Sequence, residues 1–422
     1  MSKPELNDCF LHDKDRLKHA EALEILKTQV KALGESEDVP LDQALGRVIA
    51  EDITAPMNVP LSDNAAVDGY AFAHSAYEST GGWFPILTRI AAGDTDSVAL
   101  PAEGAARIFT GASMPAGADT VAMQEDCETH EQDGVQFVAI PPQLKKGANC
   151  RLKGEDVKKG ARLFQTGQIL TPQDVAALAS LGRATVRVFT PVKVAIIATG
   201  DELIELGNDI ETGQVYNSNG PLLESVLSPL PVSITNVGIL PDNLEALKTT
   251  LEGLGATHDV IVTTGGASRG EEDHVLTALD AIGRRHMWQL AIKPGRPMTF
   301  GHIGSAAFIG LPGNPVAAFV CFLLYARQII LALAGAEWKE PVRYPLPAAF
   351  AIDKKKPDRR EFLRGILSGD GSDLRVDKFN RDGSGLISGL READGLIEID
   401  EEQTSLKEGE IVSFIPFSAF GI

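Results

Sequence analysis

Between Pro191 and about Trp338, continuous apolar runs alternate with helical ones, and this alternation restricts the chain's fold more than any other feature. Val192 to Ala198 and Asp259 to Thr264 are apolar almost throughout, and Met287 to Ile292 and Ala306 to Ile309 are shorter runs of the same kind. A strand with one wet face alternates polar and apolar residues; an unbroken apolar run fits a strand covered on both faces. Helical patterns lie between the runs, at Asn243 to Leu254, Asp273 to Ile282 and Pro315 to Leu333. The arrangement predicts an α/β/α layer structure with a mostly parallel sheet. Sheets of that kind bind ligands outside the carboxyl ends of their strands.

The segments following each strand therefore carry the functional information. They are Thr199-Gly200-Asp201-Glu202, Pro241-Asp242-Asn243, the run from Gly265 to Asp273, Lys293-Pro294-Gly295-Arg296-Pro297, and Gly310-Leu311-Pro312-Gly313-Asn314-Pro315. Each alone has a plain structural reading. The first is a turn, Asp242 and Asn243 are helix caps, the glycine run is a tight turn opening a helix, and Lys293 and Arg296 are solvated loop charges. In the last loop two prolines and two glycines fix an unusual backbone before a buried helix, which Asn314 is placed to cap. Taken together, five strand ends rich in glycines, carboxylates, hydroxyls and cations favour a site for phosphate or another oxyanion. Glu202, Asp242 and Asp273 would repel an anion, and a bridging divalent cation, usually Mg²⁺, resolves that conflict. The eight histidines are scattered, with no pattern for a tightly held transition metal.

The remaining segments surround this region. A helical period runs from Asp15 to Leu33, with Leu23, Leu26, Val30 and Leu33 on one face and Gly34 as its stop. From Pro56 to about Pro142, short β-type runs alternate with Gly/Pro/Asp turns, which suggests an inserted β domain. A helix is expected at Pro172 to Leu181, and β-rich sequence returns beyond Pro341. The predicted layout is a discontinuous N-terminal domain (1–55 and 148–190), an inserted β domain (56–147), the α/β domain (191–338) and a C-terminal β domain, barrel-like, over 339–422. A chain of 422 residues is long enough for several domains. Its net charge of -19 argues against a nucleic acid or an anionic membrane as main partner. The four cysteines show no metal or disulfide spacing, and MSKPELNDCF lacks the pattern of a signal peptide, so a reducing cytoplasm is expected. Val316 to Ala326 is too short for a membrane span and reads as a buried helix.

Seven segments resemble, in order, the molybdopterin molybdenumtransferases: bacterial MoeA and the E domains of gephyrin and its plant counterpart. They are Asp63–Ala71 (DNAAVDGYA), Ile108–Ala118 (IFTGASMPAGA), Arg151–Asp156 (RLKGED), Ala198–Leu203 (ATGDEL), Thr264–Gly270 (TGGASRG), Ala291–Pro297 (AIKPGRP) and Gly310–Val316 (GLPGNPV). The resemblance implies a four-part homodimer in which the inserted domain of one subunit covers the cleft of the other. It also implies the reaction, in which adenylylated molybdopterin and molybdate give molybdenum cofactor and AMP. The family's functional positions fall on Asp63, Thr110, Arg151, Asp156, Glu202, Asp242, Asp273 and Lys293. With the loop chemistry, Gly265, Gly266, Ser268, Pro312, Gly313, Asn314 and Pro315 are expected to cradle pterin phosphate or nucleotide. Lys293 and Arg296 are expected to stabilise oxyanions, and Glu202, Asp242 and Asp273 to hold Mg²⁺ or position water at the phosphoanhydride.

Several positions depart from the family pattern. Thr264 and Ala267 stand where many relatives have serine and valine, Arg296 replaces a lysine, Ala317 a serine and Asn217 an aspartate. Arg296 offers a planar fork in place of a point charge, so these changes bear on which groups touch molybdate and on selectivity against tungstate. Two other functions compete. A molybdopterin adenylyltransferase shares the central α/β domain but lacks the DNAAVDGYA segment, and a scaffold of the same fold would bind partners without turnover. Expected partners are a second copy of the chain, a molybdopterin adenylyltransferase, and molybdoenzyme apo-proteins or their chaperones.

Overall fold

The apolar run at Val192 becomes the second strand from one edge of a six-stranded sheet. The computed structural model describes residues 16–95, 99–265 and 274–422. In chain order the sheet contains β1 (Val192–Thr199), β2 (Val232–Leu240), β3 (Val260–Thr264), β4 (Arg284–Gln289), β5 (Pro297–Ile303) and β6 (Ala306–Leu311), arranged β2-β1-β3-β6-β5-β4. The first four in that order are parallel. β5 runs antiparallel to both β6 and β4, so β4 points the same way as the parallel strands. Every strand but β5 therefore delivers its carboxyl end to one edge.

Side-chain alternation explains how both faces are covered. Val194, Ile196, Val260, Val262 and Ile309 pack with Leu223 and Leu227 of the helix Asn219–Leu227 and with the helix Pro315–Leu333. Ile197, Ile261 and Phe308 face the other way, onto Leu247 and Leu251 of Leu244–Thr257 and Val275 and Leu279 of His274–Ile282. Only Lys193 of β1 is exposed. The helix Pro315–Leu333 has the length and hydropathy of a membrane span, yet 83% of its apolar window is buried in the protein. It is α-helical to Cys321, makes one π-turn over Phe322–Ala326 and resumes as α-helix.

Two expectations are corrected here. The run Met287 to Ile292 is not one strand: β4 ends at Gln289, and Ile292–Lys293 instead pairs with Arg360 and Glu361 of a second sheet. Leu290, Ala291 and Ile292 are apolar because the connection itself is buried. β5 escaped notice because it opens on Pro297 and contains Gly301. A proline is tolerated as the first residue of a strand. Gly301 is required because a Cβ there would lie 2.5 Å from the Arg284 carbonyl oxygen. The N-terminal helix also differs: it spans His19–Gln29, not Asp15 to Leu33. Val30 is extended, Leu33 is exposed, and the Leu33 N–H donates to the carbonyl of Leu333, a tertiary bond that periodicity does not reveal.

By compactness the chain forms two units. The first contains Met1–Ala50, Thr166–Thr171 and Val186–Ile422, hence the α/β sheet and the C-terminal sheet. That second sheet has the order Ile292–Lys293, Arg360–Ser368, Gly395–Ile399, Ile411–Pro416, Tyr344–Pro347, with Arg375–Lys378 beside Arg360–Ser368. The N-terminal helix packs Ala22, Leu23 and Leu26 into the core of this unit. The second unit, Glu51–Gln165 and Pro172–Thr185, holds a six-stranded β-sheet ordered Thr120–Met123, Gly69–Phe72, Ala105–Ile108, Trp83–Ile90, Val135–Ala139, Glu128–Gln132.

Candidate active site

The carboxyl edge of the α/β sheet opens into a cavity of about 820 Å³. Glycines allow its loops to converge. Gly265, after β3, has φ +88°, and a Cβ there would lie 2.3 Å from the Thr199 carbonyl oxygen after β1. Gly313 packs against Gly265, its Cβ position 3.6 Å from the Gly265 Cα. Any side chain at Gly265 would push these loops apart.

Around this floor stand the polar groups. Glu202 and Asp242 both line the cavity. The Glu202 carboxylate folds back over Gly200, whose φ is +145°, and a Cβ on Gly200 would meet Glu202 Oε2 at 2.5 Å. The Asp242 N–H donates to Asp201 Oδ1 at 3.3 Å, tying the loop after β2 to the loop after β1. Its neighbour Asn243 is the helix cap expected, with Oδ1 accepting from the Ala246 N–H at 3.0 Å. Pro312, Gly313, Asn314 and Pro315 line the cavity as well. Asn314 does not cap its helix as expected. Its Nδ2 donates to Ser384 Oγ at 2.9 Å, and the Ser384 carbonyl accepts from the Val316 N–H at 3.0 Å. Pro315 at the first helical turn has no N–H to satisfy, so the helix tolerates the loss of that cap.

Asn217, a departure from the family pattern, and Asn219, Gly385 and Ile387, which the sequence alone does not single out, also line the cavity. Asn219 is buried, and its Nδ2 donates to the Gly313 carbonyl at 2.7 Å. Asn217 is buried too, with Oδ1 accepting from the Gly220 N–H at 3.0 Å. Gly385 and Ile387 arrive from the C-terminal domain. The signal available for the first pair was a polar Asn-Ser-Asn run placed just before an apolar helix. Nothing local marks Gly385, which reaches the cavity through tertiary packing, or Ser384, which reaches Asn314.

Lys293 and Arg296 do not line this cavity, although Pro297 beside them does. Lys293 Nζ is 3.6 Å from Glu361 Oε2, and Arg296 Nη2 donates to Gln289 Oε1 at 3.3 Å. Their loop is seated on a buried thiol: Cys321 Sγ donates to the Gly295 carbonyl at 3.4 Å. Burial pushes the Cys321 thiol well above its ordinary range, so it stays protonated. Gly266, Ser268 and Asp273 lie outside the described residues. Among the described residues no three His, Cys, Asp or Glu side chains gather as metal ligands.

Asp63, Thr110, Arg151 and Asp156 all belong to the second unit. Asp63 Oδ1 accepts from the Lys153 N–H at 2.6 Å. Arg151 pairs with Asn64 in a short antiparallel ladder, and the Asp156 N–H donates to the Val59 carbonyl at 3.1 Å. The segment 59–65 and the segment 150–157 thus lie side by side. Asn64 also bridges to Ser113, which brings the loop of Thr110 to the same place. Thr110 itself is held by Asp68.

Three family models cover most of the chain: the MoeA N-terminal region (domain I and II) at residues 17–182, a probable molybdopterin binding domain at 195–332, and the MoeA C-terminal region (domain IV) at 346–417. A molybdopterin molybdenumtransferase of Haemophilus influenzae is 35% identical over 91% of this chain and 94% of its own. Molybdopterin molybdenumtransferase 2 of Mycobacterium tuberculosis is 31% identical over 88% and 92%. The crystal structure of a molybdopterin biosynthesis MoeA protein from Pyrococcus horikosii superposes with a TM-score of 0.78 at 31% identity, covering 96% of this chain and 99% of that one. With the fold, the domain order and the relatives in agreement, the chain belongs to the MoeA family of molybdopterin molybdenumtransferases.

Proposed function

We propose that this protein inserts molybdate into adenylylated molybdopterin and releases AMP, giving molybdenum cofactor. The observation that carries this reading is the convergence of four carboxyl-edge loops on one cavity within a domain matched by the molybdopterin-binding model. The MoeA N- and C-terminal regions flanking that domain favour it over an adenylyltransferase. Glu202 and Asp242, kept on the cavity wall, favour it over a scaffold without turnover.

Two carboxylates lining an anion site, Glu202 and Asp242, suit a hard cation. Mg²⁺ commonly takes one or two carboxylates and fills its shell with phosphate oxygens and water. Glu202 and Asp242 are the described residues that would hold it, and bound there it would neutralise charge developing on the phosphoanhydride. The glycine floor at Gly265 and Gly313 brings backbone against a bound phosphate, and Pro312 and Pro315 hold the wall rigid. Lys293 and Arg296, one loop away, supply the positive charge for an oxyanion once Lys293 exchanges Glu361 for the ligand. We propose further that the protein works as a cytoplasmic homodimer, and that it meets a molybdopterin adenylyltransferase and molybdoenzyme apo-proteins or their chaperones.

The decisive test is to incubate the protein with adenylylated molybdopterin and molybdate and follow AMP. Molybdate-dependent AMP release is expected, and it should stop in EDTA and return with Mg²⁺. AMP formation independent of molybdate, or consumption of ATP instead, would overturn the assignment.

A further inference from the structure

Thr110 is anchored unusually firmly for an exposed loop residue. Its backbone N–H and its hydroxyl both donate to one carboxylate oxygen, Asp68 Oδ1, at 2.8 and 2.7 Å. The surroundings brace both partners. The Asp68 carbonyl accepts from the Gln124 N–H at 3.1 Å. Arg107 Nη1 donates to the Gly69 carbonyl at 2.9 Å, and its other nitrogen reaches the Gln124 side chain. Phe109, next to Thr110, lies under the guanidinium groups of Arg89 and Arg107, 4.5 and 4.6 Å from its ring centre. These contacts fix the loop on each side of Thr110 and leave its hydroxyl at the surface.

The bonds also decide the direction of the hydroxyl. The Thr110 backbone bond, then its hydroxyl bond, hold the Asp68 carboxyl below its ordinary range, against desolvation, with the charge of Arg107 adding a little to the bonds. A carboxylate only accepts, so the proton between the two oxygens belongs to Thr110. A hydroxyl has one proton and two lone pairs. With that proton engaged, Thr110 Oγ has only lone pairs to offer.

We propose that Asp68 is a positioning residue for the reaction: it fixes Thr110 so that Oγ meets the ligand as an acceptor. Thr110 then takes a hydrogen-bond donor or a bound divalent cation, and does not bind molybdate or another oxyanion. This inference rests on the proposed function and on Thr110 being one of the functional positions that the family resemblance implies.

The test combines AMP-release kinetics with amide hydrogen exchange. Asp68→Ala and Thr110→Val should each lower kcat by about tenfold, and the double variant should be no worse than either, because partners in one interaction are not additive. Asp68→Asn keeps Oδ1 and Thr110→Ser keeps the hydroxyl, so both should retain activity within a few-fold. Thr110→Val should leave the KM for molybdate within about twofold, since in this arrangement Thr110 makes no contact with molybdate whose loss would weaken its binding. In Asp68→Ala the Thr110 amide should exchange faster while the sheet strands of its unit keep their protection. Additive losses, an activity of Asp68→Ala equal to wild type, a molybdate KM raised tenfold by Thr110→Val, or unchanged exchange at Thr110 would each overturn the proposal. A wild-type protein that released no AMP would refute the proposed function instead, and the exchange measurement would still decide whether Asp68 holds Thr110.

Discussion

At the scale of single residues, the cavity combines a backbone position that tolerates no side chain, Gly265, with two lining carboxylates, Glu202 and Asp242. Gly265→Ala would place a methyl group against the Thr199 carbonyl at a left-handed φ, a conformation that costs about 1–2 kcal/mol even without the clash. We predict a lower melting temperature and loss of most AMP release, both measurable on the purified variant; full activity would mean that the loops need not approach as closely as they do. Glu202→Ala and Asp242→Ala should each cut turnover about 100-fold or more, in line with loss of a positioned electrostatic group. Normal AMP release by both variants would remove the carboxylates from the mechanism. Lys293→Ala should also lose most activity, read as kcat and as the molybdate concentration for half-saturation; a variant saturating at the wild-type concentration and turning over normally would place the oxyanion pocket elsewhere. Much of this site was legible because glycines, prolines and charges cluster after the strands in sequence. Asn219, Ser384 and Gly385 were not, because their roles depend on which loops meet: Asn219 matters through the Gly313 carbonyl and Ser384 through Asn314. The same limit applies to Lys293, whose sequence neighbours give no hint of Glu361.

Among the elements, the N-terminal helix places a buried titratable group, His19, at its start. His19 Nδ1 lies 2.6 Å from the hydroxyl of Tyr325 in the π-turn of the long helix. Phe362 packs edge-on against the same ring. Burial lowers the His19 pKa from its usual 6.5 to about 4, partly offset by the negative charge of Glu398, with Arg360 and Arg343 opposing that offset. Folding therefore favours the neutral imidazole, and the unfolded chain protonates first as pH drops. Stability should fall from about pH 6.5 down to about pH 4 and level off below, a loss on the order of 3 kcal/mol from this group. Urea titrations across that window check it: His19→Gln should flatten this part of the curve, and an identical pH dependence in the variant would show that other groups are responsible. The elements themselves were readable where one period dominated. β1, β3 and the helix Pro315–Leu333 appear as expected, because burial on all sides leaves an unbroken apolar record. β4 and β5 were misjudged because a buried connection, Leu290 to Ile292, has the same composition as a buried strand, and because Pro297 and Gly301 look like turn residues until their neighbours are known.

On the scale of the whole molecule, the residues that the family resemblance implicates are divided between two units. The homodimer proposed above makes a sharp prediction from that division. Asp63→Ala and Glu202→Ala should each be inactive alone, yet after subunit exchange the mixture should recover roughly a quarter of wild-type activity, since half the dimers are mixed and each has one undamaged site. No recovery, with exchange verified by mass, would exclude sites built from two subunits. The division itself was only partly visible in the sequence: the β texture after Pro56 marks the inserted sheet, while the return segments near Thr166 and Pro172 carry no compositional signal. The bond between His19 and Tyr325 has a further consequence, for synthesis on the ribosome. The two residues are 306 positions apart, so at ~5–20 residues per second the N-terminal helix waits about 15–60 s for its partner to be made. Throughout that interval Leu23 and Leu26 lack the helix Pro315–Leu333 that shares their core, whereas the second unit is already complete once Thr185 has emerged. Nascent chains stalled short of Tyr325 should accordingly be cut by protease within the first helix and spared within the inserted sheet, and chaperone binding during translation should map to His19–Gln29, whose burial waits on residues made hundreds of positions later.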